Sequence, residues 1–260
     1  MDWLLEWLGR KLAKYLSEVR PEGTRFATSP PEKLAGTLEP GDVLLIEGNT
    51  RVSVAIKYLT QSTWSHSALY IGDALRGTAG TPATGEEPKV LIEADMRAGV
   101  RAVPLSHFAG LHTRICRPVG LAVEETRKVI DFAVTRIGEA YDMKNVFDLA
   151  RYLFPTPPVP ARFRRRMIAL GSGDPTRAIC STLIAAAFDS VRYPILPEYV
   201  PPQAGTRADV RAEQEDILRI RHHSLYVPRD FDISPYFAIV KPTIAHGFDF
   251  HRLHWATEPE

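Results

Sequence analysis

Between Asp42 and Arg117 the chain is a series of short apolar runs of strand length, most of them bounded by turn residues; from Val123 the apolar period becomes helical. Asp42-Val43-Leu44-Leu45-Ile46 follows the turn pair Pro40-Gly41, and residues 65–71 are stopped by Gly72-Asp73. Residues 90–95, 100–104 and 113–117 follow as further strands, and 51–59 reads as a short helix among them. Later, 123–137 opens on Glu124-Glu125, which suit a helix N-terminus, and ends at Gly138. Residues 145–152 read as a second helix closed by the proline-rich 155–158, and 179–191 as an alanine-rich, buried one; 236–240 is a last strand. Strands grouped first and helices afterwards argue against alternating βαβ units. They predict an α+β fold, an antiparallel meander packed on helices.

Two segments lie outside that core. Residues 3–19 place Leu4, Leu8, Leu12 and Leu16 on one stripe, widened by Trp3 and Trp7, with Arg10, Lys11 and Lys14 supplying charge. That pattern fits a helix packed on the domain and also an interfacial helix resting on lipid, a peripheral membrane contact. The expected organisation is an amphipathic helix and linker over 1–37, one domain over 38–245, and a tail over 246–260. A formal net charge of +1 provides no global field for nucleic acid, so none is expected as a partner. The N-terminus lacks the layout of a secretory signal, no run approaches the ~20 apolar residues of a membrane span, and the two cysteines form no CxxC pair. A cytoplasmic protein is expected, with a thiol free to react.

Three runs carry chemistry. Strand alternation puts His66 on one face with Trp64, Ala68 and Tyr70, where an imidazole needs a partner for its ring nitrogens. Glu93 is a carboxylate inside the apolar run 90–95, and a histidine on the adjacent strand is its natural partner; Asp95 is the alternative, two residues along. Cys180 opens or lies near the start of a buried helix, where free N–H groups favour thiolate and an oxyanion. Each has a plainer reading: a core histidine, a solvated carboxylate, a small buried cysteine. Cys116 has no activating neighbour in sequence and reads as structural. His107 and His112 are weaker rivals to His66. His222-His223 and the tail histidines 246, 251 and 254 show no ligand spacing, so neither metal nor cofactor is expected.

Taken in order, Pro40-Gly41-Asp42-Val43, SHSALYIGD at 65–73, LIEAD at 91–95 and ICSTL at 179–183 resemble the YiiX/YebB-like permuted papain-like cysteine hydrolases, circularly permuted relatives of the NlpC-type peptidases. Gly138-Glu-Ala-Tyr141-Asp142 resembles a turn those proteins carry. The resemblance spans roughly residues 38–192, with 155–178 and 197–224 as helical insertions. It implies a papain-like α+β core and a triad of Cys180 as nucleophile, His66 as base and Glu93 as orienting acid. Ser65, Tyr70, Tyr141 and Ser181 are the expected substrate contacts. Ile179 stands where many relatives carry an aromatic residue. The implied reaction is cleavage of an amide or ester in a small molecule, peptide or lipid through a thioester. Acyl transfer to lipid, of the lecithin:retinol acyltransferase type, and a non-catalytic binding module are the alternatives. The basic run Arg162, Arg164, Arg165, Arg166 and the first helix lean toward lipid.

Overall fold

The computed structural model describes residues 15, 17–19, 27–76, 87–140, 180–199, 218–219, 223 and 226–253. Its core is one antiparallel sheet of six strands in the order β4-β3-β2-β1-β5-β8. These are β1 (Val43–Ile46), β2 (His66–Tyr70), β3 (Lys89–Asp95), β4 (Gly99–Pro104), β5 (Thr113–Pro118) and β8 (Phe237–Val240). A two-residue pair, β6 (Glu198–Tyr199) with β7 (Leu218–Arg219), stands apart. The helices are α1 (Pro31–Ala35), α2 (Arg51–Thr60), α3 (Val123–Val134), α4 (Cys180–Asp189), α5 (Pro228–Asp232) and α6 (Pro242–Ala245). The α+β expectation holds, and each expected strand is present within a residue or two.

The meander needs one correction. Strands β1 to β4 do run side by side in sequence order, but β5 returns to pair with β1 on its other edge, Val43 opposite Cys116. Alternation within a strand encodes which face is buried, not which neighbour it takes. The centre position of β1 explains its composition: all four residues are apolar because both faces are covered. Val43 and Leu45 belong to the same core cluster as Leu183, Ile184 and Phe188 of α4 on one side. Leu44 and Ile46 meet Leu34, Phe108 and Ile115 on the other.

Polar anchors fix the sheet's ends. Arg117 makes a forked pair with the buried Asp42 at 2.9 and 2.8 Å, tying β5 to the turn before β1. Arg114 and the Trp64 indole both donate to Asp232, at 2.6 and 3.0 Å, and hold α5 against β5. At the β4 edge, Val100 exchanges backbone bonds with Gly138 and Glu139, so Gly138-Glu139-Ala140 lies along that strand. Gly99 makes this approach possible. Its φ is +72°, and a Cβ there would sit 2.1 Å from the Glu139 carbonyl oxygen. Residues 141 and 142 of the turn sequence lie outside the described residues, as do the expected helix 145–152 and most of the first helix and insertions. Among the described residues, no helix is long and apolar enough to cross a membrane.

Candidate active site

Cys180 is the first described residue of α4, and α4 packs on β2 and β3. His66 starts β2, Glu93 lies on β3, and Arg101 sits directly opposite Glu93 on β4. Three neighbouring strands thus hold the imidazole, the carboxylate and a guanidinium at one end of the sheet. The sulfur is delivered from the helix layer.

The carboxylate divides its two oxygens. Glu93 Oε2 accepts from His66 Nε2 at 2.6 Å, while Oε1 accepts from Arg101 Nε at 2.9 Å and forms an ion pair with Nη2 at 2.8 Å. His107 Nε2 lies 3.4 Å from the same Oε1. With Nε2 bound to Glu93, the imidazole has Nδ1 left for the Cys180 sulfur, to which His66 also hydrogen-bonds. Phe108 packs on the His66 ring at 5.8 Å between centroids and shields one face from water.

The charges reinforce one another. Burial opposes charge on Cys180, yet the attraction and hydrogen bond of His66, with help from Ser67, hold its thiol below the ordinary range. Burial opposes charge on His66 too, but the Cys180 thiolate and the Glu93 carboxylate raise it to about 10. Glu93, 3% exposed, resists its own burial through His66, Arg101 and His107 and is held at about 2. Cys116 is the contrast. It is equally buried, and burial, with Asp232 nearby, pushes its thiol up, as an inert core residue requires.

A cleft of about 280 Å³ opens over Cys180, His66 and Glu93. Its far wall is the start of α2, where Thr50 caps the helix by accepting from the Ser53 N–H at 3.2 Å. A Cβ at Gly48 would lie 2.2 Å from Ser53 Oγ, so any side chain there would force Ser53 to move. Ser17 closes another side; its neighbours are held by a Val19–Thr50 bridge, the Glu18–Arg51 ion pair at 3.3 Å and Tyr15 stacked on Arg51.

The expected contacts divide. Ser65 lines the cleft, and its hydroxyl accepts from the Gly48 N–H at 2.9 Å. Tyr70 sits at the other end of β2, four residues or about 13 Å from His66, and is not among the residues lining the cleft. Ser181 is fully buried and its hydroxyl is spent on the Tyr226 carbonyl at 2.7 Å. Tyr141 lies outside the described residues. Trp64 does not share the face of His66: it belongs to the helix-side core, while Ala68 and Tyr70 belong to the opposite one, because the strand begins only at His66. Asp95 caps the β3–β4 turn through the Arg97 and Ala98 N–H groups, which leaves the histidine to Glu93. His112 pairs with Glu47 at 3.2 Å. Arg101 was not anticipated, although the hairpin register 93 opposite 101 follows once the turn is centred on Arg97. Among the described residues, no group of three or more His, Cys, Asp or Glu is arranged to hold a metal.

Residues 37–153 match the family described as permuted papain-like amidase enzyme, YaeF/YiiX, C92 family, so the resemblance to YiiX-like permuted papain-like hydrolases is shown. A solved structure titled metalloprotein yiiX from Escherichia coli O157:H7 is also similar, at 15% identity and a TM-score of 0.46, covering 78% of this chain and 96% of that one. No curated protein matches.

Proposed function

We propose that this chain, an enzyme related to the YaeF/YiiX permuted papain-like amidases, cleaves an amide or ester bond through a Cys180 thioester. The single observation that carries the reading is the opposite displacement of Cys180 and His66, with the imidazole anchored at 2.6 Å on Glu93. That combination favours a thiolate–imidazolium pair before substrate arrives.

In the reaction, the proton of Cys180 already rests on His66 Nδ1 and the sulfur attacks the carbonyl carbon. A C–S bond forms and the carbonyl electrons move to oxygen. When they return, the C–N or C–O bond breaks and the leaving amine or alcohol takes the proton from His66. Water then gives a proton to Nδ1 and attacks the thioester; the acid departs and the sulfur is restored. Glu93 keeps Nε2–H in place throughout, which fixes the tautomer that presents Nδ1 to sulfur. The features that lean toward lipid acyl transfer, most of the helix 3–19 and the arginines at 162 and 164–166, lie outside the described residues.

The test is a p-nitrophenyl ester and a panel of amides, read by product release and intact mass. The expected result is a nitrophenol burst with an acyl adduct on Cys180, both lost in Cys180→Ala, which should fold normally. Full turnover in Cys180→Ala would sink the mechanism.

A further inference from the structure

Ser67 follows the histidine, and no step above uses it. Its hydroxyl is fully buried and has no hydrogen-bond partner among the described residues. An orphaned buried hydroxyl is costly, so its retention calls for a reason. The backbone beside it is unusual as well. Tyr70 exchanges hydrogen bonds with the Asp42–Gly41 side, so alternation turns the N–H groups of His66 and Ala68 toward β1 and that of Ser67 toward β3. The β2–β3 ladder, however, stops at Leu69 opposite Ile92; continued, it would have paired Ser67 with Ala94. α4, whose first described residue is Cys180, packs on β2 and β3, the two strands that flank the gap. Ser67 pairs with Leu45 across the β1–β2 ladder, which turns its side chain to the face that α4 covers, and it is among the groups that lower the pKa of the Cys180 thiol.

We propose that Ser67 is a further catalytic residue, whose hydroxyl and backbone N–H together hold the Cys180 sulfur as thiolate and aim it into the cleft. The opened ladder supplies the N–H, and the orphaned hydroxyl supplies a second donor that a neutral thiol satisfies only weakly. This rests on Cys180 being the nucleophile. The charged and titratable groups around the sulfur are His66 of β2, Glu93 and Asp95 of β3, Arg101 of β4 and His107 of the 3-10 turn that follows. Ser67 adds no charge to that set.

The test is iodoacetamide labelling of Cys180 against pH in the full chain, with the modified residue located by mass spectrometry, for wild type, Ser67→Ala, Ser67→Thr and His66→Ala. Removing one hydrogen bond to a charged group should raise the apparent thiol pKa by about one unit and slow labelling near neutrality about tenfold. Ser67→Thr, which keeps the hydroxyl, should restore most of the rate. If Ser67→Ala leaves the profile unchanged while His66→Ala abolishes the fast reaction, the role of Ser67 is overturned and the Cys–His reading stands. If wild-type Cys180 itself titrates as an ordinary thiol, the reading beneath it falls. Thermal melting separates a structural role, because deleting a merely orphaned hydroxyl would raise stability and leave the titration alone.

Discussion

Glu93 and Arg101 face each other across the β3–β4 hairpin, and both guanidinium contacts fall on the one carboxylate oxygen that His66 does not use. The carboxylate is therefore held from behind. A buried acid with the imidazole as its only partner would be a poorly compensated charge; with Arg101 it stays ionised and keeps its orientation.

Arg101→Met should consequently cost stability and rate together. Breaking a buried pair typically costs 3–5 kcal/mol, and the partial exposure of Arg101 brings the expectation to about 2–3 kcal/mol in urea unfolding. We expect kcat to fall on the order of tenfold to a hundredfold as Glu93 loses its fixed geometry. Unchanged kcat would show that His66 needs no support beyond the carboxylate itself.

The pH dependence follows from the directions of the shifts. Cys180 titrates below its ordinary range and His66 at about 10, so the thiolate–imidazolium form spans the interval between them. Activity should rise with pH below the ~8.5 of a free thiol and fall near pH 10. These limbs belong to the pair rather than to either residue. Glu93→Gln removes a charge that favours imidazolium, so its alkaline limb should move down. A wild-type fall beginning near pH 7 would contradict the pairing.

For stability the signs differ between the partners. Glu93 is depressed, so its contribution is present above its ordinary 4.5 and is lost as pH falls toward about 2. His66 is raised, so its contribution is full below its ordinary 6.5 and is lost as pH rises through about 10. Against wild type, Glu93→Gln should narrow its deficit in melting temperature steadily below pH 4.5. A deficit constant down to pH 2.5 would show that the lost interaction is not ionic.

Gly48→Ala should deform the cleft wall, because the new methyl meets Ser53 Oγ at 2.2 Å. Overpacking of this kind costs about 1–3 kcal/mol, and KM should rise more than kcat falls. Adding Ser53→Ala should recover part of both. No recovery would place the strain elsewhere, at the Ser65 hydroxyl 3.0 Å away.

Deleting residues 1–19 separates two roles. It removes Ser17 from the cleft and the Tyr15–Arg51 and Glu18–Arg51 contacts, so KM should rise in free solution. If the leucine and tryptophan stripe also rests on lipid, sedimentation with anionic liposomes should weaken by the same deletion. Unchanged liposome binding would retire the membrane contact without touching the first expectation.

Much of this site was legible because local pattern carries it. His66 and Glu93 were visible as polar side chains interrupting apolar strands, where burial forces a partner. Residues 65–71 and 90–95 came out within a residue or so of β2 and β3. Pairing across the sheet was less accessible. The return of β5 to β1 and the placing of Trp64 on the helix side depend on long-range packing, which a period-two pattern does not specify. Ser181 and Tyr70 are the expected contacts that the fold turns away from the cleft. On a helix, adjacent residues point about 100° apart, so nearness to Cys180 brought Ser181 to Tyr226 instead.

The strand order has a consequence for how the molecule is made. The imidazole, the carboxylate and its guanidinium clasp come from one uninterrupted stretch, residues 66–101, whereas the sulfur comes from Cys180. A chain emerging from the ribosome holds a complete proton-handling apparatus long before it holds anything to act upon. Any product halted between those points would be a harmless half-enzyme, and it is the later docking of α4 that arms it.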